Sequence, residues 1–200
     1  MSLVDEIRNL ALECNCSYKP FSQVEFFKDD PRFDGGVCAG VSLSWIEVKV
    51  KRKLFLDDNV LDKDLIIKRQ RQRQRQRQSA NRIMQSHIDG FIFKESLDKD
   101  GEAKSHDFIV SSDGFDISRM LSWTTPFLKQ RYFLVTTDHH CMAMCNTRFG
   151  GFIFFDPNCG EISGSVNNMR NFLVKFFRIY KVRNTYWRAS NYSLKVTKFK

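Results

Sequence analysis

The 200-residue sequence predicts an α+β protein. Three observations carry that prediction: apolar residues at helical spacing in the first half, strand-like segments between residues 131 and 156, and one strongly amphipathic helix after them. Residues 4–14 place Val4, Ile7, Leu10 and Ala11 at helical spacing, giving a short amphipathic helix. Loop-like sequence follows through "KDDPRFDGG". The stretch "VCAGVSLSWIEVKV" is apolar on several sides, with Val37, Val41, Trp45 and Val48 on one and Ala39, Leu43, Ile46 and Val50 on others. It reads as a buried helix that starts near Val37 or Cys38, with Gly35-Gly36 as its tight entry.

The run "KRQRQRQRQRQ", Lys68 to Gln78, is low in complexity. Arginine and glutamine both favour helices, so an exposed helix over about 62–88 is one expectation. In an extended chain every arginine of the run would lie on one face, which suits a phosphate-rich surface. Residues 96–107 are polar and acidic and read as a loop. "YFLVTT", "HHCMAMCNT" and "GFIFFD" read as strands, the last two joined through the hairpin signal "RFGG". In "SVNNMRNFLVKFFRIY", Met169, Phe172, Leu173, Phe176, Phe177 and Tyr180 form one apolar helix stripe, and "TYWRASNYSLKVTKF" reads as a closing strand. The chain is read as a single domain, 1–200, with 68–78 as an insertion in it.

Composition narrows the function classes. An apolar share of 42% with 19 phenylalanines belongs to a folded protein. No apolar run reaches the roughly 20 residues of a membrane span. The N-terminus has acids before its short apolar stretch and no basic segment, so it does not read as a standard signal peptide. The formal charge is +9, but the Arg/Gln run carries six positive charges and no negative one, which leaves only +3 elsewhere. The aromatics sit at core periodicities rather than between exposed cations, which argues against nucleic acid as the main partner. The six cysteines, in a chain without a secretory signal, are expected as thiols.

The chemistry-bearing residues are few. Cys38 falls at the N-terminus of a buried helix, where the helix dipole favours thiolate over thiol. A thiolate nucleophile needs an imidazole to pass protons, and the imidazole needs a third group to fix its tautomer. Of the four histidines, His139 and His140 open a strand, and Asp156 ends the next one in "FFDPN". In the hairpin Asp156 falls opposite residues 142–145, about 10 Å from the histidines along the strand, so the chain must bend to unite them. A two-residue turn would put His139 on the aspartate's face, and a three-residue loop would put His140 there. A zinc site drawn from His139, His140, Cys141, Cys145, Cys14 and Cys16 is the chemical alternative. It lacks paired Cys-x-x-Cys knuckles, and Cys141 and Cys145 would stand about 13 Å apart on a strand.

"DGGVCAGVSLSWI", "HHCMAMC" and "GGFIFFDPNCGE" together resemble the Cys…His…Asp pattern of the YopT-type cysteine proteases, papain-like enzymes found among bacterial effectors. The strong match covers about 15 residues around Cys38 and about 25 around Asp156 and does not extend to the region between them. The resemblance implies a papain-like fold, with the nucleophile at a helix N-terminus packed on an antiparallel sheet. It implies Cys38 as nucleophile, His140 as general base and acid, Asp156 as orienting carboxylate, and no cofactor or metal. His140 is preferred to His139 because the family motif has one histidine followed directly by a small-residue strand. Cys141 departs from the small residue usual there. The oxyanion hole would combine the Cys38 N–H with a side-chain donor from the preceding loop. Residues 29–37 hold no glutamine or asparagine, which leaves Asp34 or, farther back, Gln23.

The implied function is a cysteine endopeptidase secreted without a cleaved signal and delivered into the host cytosol to cut host proteins. A glutamine deamidase or transglutaminase on the same triad is the alternative, because both run through the same thioester. Some relatives act on prenylated small GTPases with basic tails. A +9 chain would repel such a tail, so a different substrate or an acidic recognition patch is expected. The Arg/Gln run is a candidate contact to an anionic membrane surface.

Overall fold

The computed structural model describes residues 2–33, 36–51, 61–78, 85–88, 91–94, 105–109, 115–124, 130–137, 139–179 and 193–199. Helix α1 (Leu3–Glu13) opens with a capping box in which Ser2 and Asp5 bond each other's backbone N–H. Strand β1 (Ser17–Pro20) and the short helix α2 (Gln23–Phe27) follow, where the sequence had suggested a loop. Next come α3 (Cys38–Val50) and α4 (Lys63–Gln78). Strands β2 (Gln85–Ile88) and β3 (Phe91–Lys94) form a separate two-stranded ladder. Strand β2 stands in the last part of the span, about 62–88, where one helix was expected, and α4 covers Lys63–Gln78 of it. Then come β4 (Ser105–Ile109), α5 (Phe115–Thr124), β5 (Tyr132–Thr136), β6 (Cys141–Asn146), β7 (Gly151–Asp156), β8 (Gly160–Ser165), α6 (Val166–Arg178) and β9 (Ser193–Phe199). The first part of the expected closing strand, 185–192, and Tyr180 lie outside the described residues.

Seven of the strands make one antiparallel sheet in the order β1-β8-β7-β6-β5-β9-β4. Side-chain alternation sends Phe133, Val135, Met142, Met144, Phe152 and Phe154 to a core shared with α1, α5 and α6. The opposite parity sends Leu134, Cys141, Ala143, Cys145 and Phe155 to a second core under α3. The β6 residues on that face are small, so α3 lies close over the strand, and Ser42 Oγ donates to the Cys141 carbonyl at 3.0 Å. Tyr132 donates its hydroxyl to Lys49 O at the far end of the helix. Thus α3 runs along β6, with its N-terminus over the sheet end where β6 starts and β7 stops.

Helix α4 covers the outer side of α3, which explains why α3 is apolar all round. Ile66 and Ile67 are buried, and Arg69, only 2% exposed, pairs with Glu47 and donates to Ser44 Oγ at 2.6 Å. The Arg/Gln run is therefore in part a packing element. The helix also turns its arginines to different sides: Arg69 faces inward while Lys68 and Arg71 are exposed. Close approach of the two helices requires Gly40, where an added Cβ would stand 2.2 Å from Ile66 O. Gly40→Ala should destabilise the fold by roughly 1–3 kcal/mol through this backbone clash. Urea unfolding measures the loss, and an unchanged midpoint would show that α4 does not need its seat on α3.

Candidate active site

Cys38 is the first residue of α3, and Val37 before it makes no side-chain cap bond. A helix N-terminus leaves backbone N–H groups aimed outward, which favours negative charge on the sulfur. One of these groups, Gly40 N–H, is capped from outside the helix by Gln70 Oε1 at 3.0 Å. Gln70 belongs to the Arg/Gln run, and nothing in the repeat distinguishes it from its neighbours.

The β6–β7 hairpin sets the histidine. Thr147 N–H bonds Gly151 O at 2.8 Å across the three-residue loop Arg148–Gly150, and Gly150 takes a positive φ of 77° there. Ala143 pairs with Phe155, so Asp156 comes opposite Met142, and His140, two residues earlier, shares its parity. The chain curls just before β6. Thr137 Oγ1 accepts the N–H groups of His139 at 3.3 Å and His140 at 2.9 Å, and Thr137 N–H returns a bond to His140 O at 2.9 Å. The curl brings His140 Nε2 to 3.1 Å from Asp156 Oδ2, while His139 stays exposed.

His140 is 4% exposed and Asp156 fully buried. Burial pushes the imidazole pKa down, but the Asp156 carboxylate and the Cys38 sulfur outweigh it and lift it to about 9. Burial likewise pushes the Cys38 thiol up, and the hydrogen bond and charge of His140, helped by the Cys141 N–H, bring it below the ordinary cysteine value. Cys38, His140 and Asp156 thus form one hydrogen-bonded group at the junction of helix and sheet end. The imidazole is protonated at neutral pH and the sulfur is shifted toward thiolate.

Around this group the turn 156–161 links several elements. Cys159 N–H closes the turn on Asp156 O at 3.1 Å, and Asn158 N–H bonds Asp156 Oδ1 at 2.7 Å. Gln23 N–H bonds Pro157 O at 2.7 Å, and Tyr18 donates its hydroxyl to Cys159 O at 2.6 Å. Gly160 has φ 117°, and a Cβ there would meet Lys19 O at 2.2 Å, so only glycine lets the 19–21 segment close over the turn. The Gln23 side chain is buried beside the entry to α3, where its Oε1 takes Val37 N–H at 3.1 Å. Glu161, the last residue of this segment, accepts Trp45 Nε1–H at 2.8 Å and pairs with Lys49 at 2.8 Å, tying β8 to α3.

Asp34 lies outside the described residues. Gln23 is fourteen residues ahead of Val37, too far to read from the chain as its neighbour. A usable signal was Ser22-x-x-Glu25, a helix-start pattern that places Gln23 in a first turn, and Ser22 Oγ does accept Glu25 N–H. The residues of the zinc alternative are divided by the sheet: Cys14 and Cys16 sit in the core with α1 and α6, Cys141 and Cys145 in the core under α3. Burial pushes the Cys16 thiol up to about 11 and the Cys145 thiol to about 12. All six cysteines are free of disulfides.

Comparison with known proteins bears on both fold and family. The sequence model of a peptidase family described as Yersinia/Haemophilus virulence surface antigen matches residues 13–200. No curated protein sequence matches the chain. Among solved structures it is similar to the Pseudomonas avirulence protein AvrPphB, with TM-score 0.58 and 14% identity over 92% of this chain and 97% of that one. It is also similar to PatoxP, a cysteine protease-like domain of a Photorhabdus asymbiotica toxin, with TM-score 0.55 and 14% identity over 98% of this chain and 57% of that one. A third is a murine cytomegalovirus tegument ubiquitin-specific protease, solved with a ubiquitin-based suicide substrate, with TM-score 0.51 and 13% identity over 92% of this chain and 84% of that one.

The pKa directions give a signed pH dependence. Iodoacetamide should alkylate Cys38 well below pH 9, where Cys16 and Cys145 remain protonated. As pH rises through about 9 the imidazolium is lost, so turnover should fall while alkylation does not. Asp156→Ala removes the charge that lifts His140 but keeps its burial, so the alkaline limb of the turnover profile should move down. A limb that stays in place would show that Asp156 does not support the imidazole.

Proposed function

Because the chain belongs to the peptidase family described as Yersinia/Haemophilus virulence surface antigen, it is a cysteine peptidase of papain-like fold, and we propose that Cys38, His140 and Asp156 are its triad. The observation that carries the reading is the buried bond from His140 to Asp156, beside a sulfur lowered in pKa at a helix N-terminus. The Cys38 sulfur attacks a peptide carbonyl, giving a tetrahedral oxyanion. That oxygen is received by the Cys38 N–H and by a hydrogen of the Gln23 amide, which lies against the residue before the nucleophile. His140 gives its proton to the leaving amine, and Asp156 holds the ring in the tautomer and orientation this needs. His140 then takes a proton from the water that cleaves the thioester, and Cys38 is regenerated. The reading treats residues 1–200 as one catalytic domain with the Arg/Gln run at 68–78 as an insertion. It takes a host protein as the substrate, with delivery into the host cell.

Turning the same thioester over on a glutamine side chain would give deamidation or transglutamination, and a single experiment separates the reactions. Host lysate is incubated with the protein and with Cys38→Ala, and new protein N-termini and glutamine masses are compared. New N-termini that depend on Cys38 are the expected result. One-dalton gains at glutamine without new termini would replace the peptidase reading by a deamidase, and identical lysates would remove the Cys38 reading.

Membrane contact through the run is a separate part of the proposal. Arg69 and Gln70 are committed to α3, and among the described side chains of the run Lys68 and Arg71 are exposed charges that can meet anionic lipid. Lys68→Glu with Arg71→Glu should weaken sedimentation with phosphatidylserine vesicles. Undiminished sedimentation would refute a role for these two residues.

A further inference from the structure

We propose that Asn158 is a positioning residue for the oxyanion hole, holding the Gln23 amide in place and tying it to the same carboxylate that orients His140. The inference rests on the reading of Gln23 as an oxyanion donor and goes one residue beyond it. Gln23 is 5% exposed, so both ends of its amide need partners. Val37 N–H can only donate, and it bonds Gln23 Oε1 at 3.1 Å, which fixes which end of the amide is oxygen. Nε2 therefore faces the other way and gives one hydrogen to Asn158 Oδ1 at 2.6 Å. Its second hydrogen is the one offered to the oxyanion.

Asn158 is itself held by its N–H on Asp156 Oδ1 at 2.7 Å, while Asp156 Oδ2 bonds His140. The two oxygens of one carboxylate thus organise the two halves of the chemistry. One steadies the proton carrier directly, and the other steadies the amide through Asn158. Removing the Asn158 side chain takes away the acceptor that aims Nε2. The backbone N–H that bonds Asp156 stays, so the histidine side is left as it was. A side chain that only supported the fold would affect both halves alike.

Two reagents separate the halves. Iodoacetamide alkylates the Cys38 thiolate by displacing iodide, and no oxyanion forms. p-Nitrophenyl acetate acylates it through a tetrahedral oxyanion, releasing p-nitrophenolate and leaving a thioester, with Cys38→Ala as the background. Asn158→Ala should slow acylation about tenfold, the worth of one hydrogen bond, with alkylation changed by less than about twofold. Gln23→Ala should slow acylation by roughly 10²–10³-fold, and the double variant should be no slower than Gln23→Ala alone. Asn158→Asp, which keeps an acceptor oxygen, should recover most of the lost acylation and guards against a folding defect in the alanine variant. Equal slowing of both reactions in Asn158→Ala, or slowing of neither, overturns the proposal. If Gln23→Ala acylates at the parent rate the oxyanion reading fails, and if Cys38→Ala acylates at the parent rate the nucleophile reading fails. Both results differ from a slow Gln23→Ala beside an unaffected Asn158→Ala, which removes Asn158 alone.

Discussion

A protonated imidazole with 4% of its surface exposed, lying against a carboxylate with none, is the constraint that the architecture around β6 and β7 has to meet. Taking either charge out of water alone costs several kcal/mol or more. Here the charges alternate, with a sulfur shifted toward thiolate, then imidazolium, then carboxylate, and the carboxylate's second oxygen takes the Asn158 N–H. Burial acts against both His140 and Cys38, and in both cases the neighbouring charges prevail. The group is stable only while all three members stay in register. That requires a helix end, a strand start and a strand end to meet at one point.

The turn after β7 is where that meeting is enforced. Asp156 faces the histidine, Pro157 O receives Gln23 N–H, Asn158 spans the carboxylate and the glutamine, and Cys159 O receives Tyr18. Gly160 lets the 19–21 segment lie against the turn, and Glu161 reaches across to Trp45 and Lys49 on the helix that carries Cys38. Trp45 also stacks on Phe155, with ring centroids 5.5 Å apart, one residue before the aspartate. Six consecutive residues thus tie β1, α2, α3 and β8 to one another. The short motif "DPNCGE" combines glycine, proline and polar groups because its positions between them hold β1, α2 and α3.

Legibility in the sequence followed the kind of interaction involved. Helices α1 and α6 were readable because burial of one face writes a helical period into the chain, whereas α3 and strands β5, β6 and β7, buried on more than one side, were readable as bounded apolar runs. The segment β1–α2 was read as a loop because its order comes from partners far along the chain: Ser17 pairs with Ser163, and Gln23 docks on Pro157. The same holds for β8, whose "GEISGS" has too little apolar alternation to announce a strand although it is ordered between two neighbours. At the site, strand parity alone left His139 and His140 open, because the choice depends on loop length and on the curl that Thr137 imposes. Gln23 was legible only as one of two oxyanion candidates, and Asn158 was opaque, for a different reason. Their importance lies in a contact across 135 residues of chain, and no local pattern encodes it.

The Arg/Gln run shows how a repeat of period two is used by a helix of period 3.6. Identical residues are carried to unlike environments, so the fold selects particular copies. Arg69 is taken into a buried bond with Glu47, Gln70 caps the helix that carries Cys38, and Arg71 is left in solvent. The selection depends on Gly40, which lets α4 come near enough for a glutamine side chain to reach the first turn of α3. A low-complexity segment therefore has two functional layers. Its first turns set the electrostatics of a helix N-terminus, where changing one residue should matter as much as in any unique sequence. Arg71 on the outer side, free of that seat, can change with little effect on the fold, so evolution of charge there is uncoupled from the geometry at Cys38.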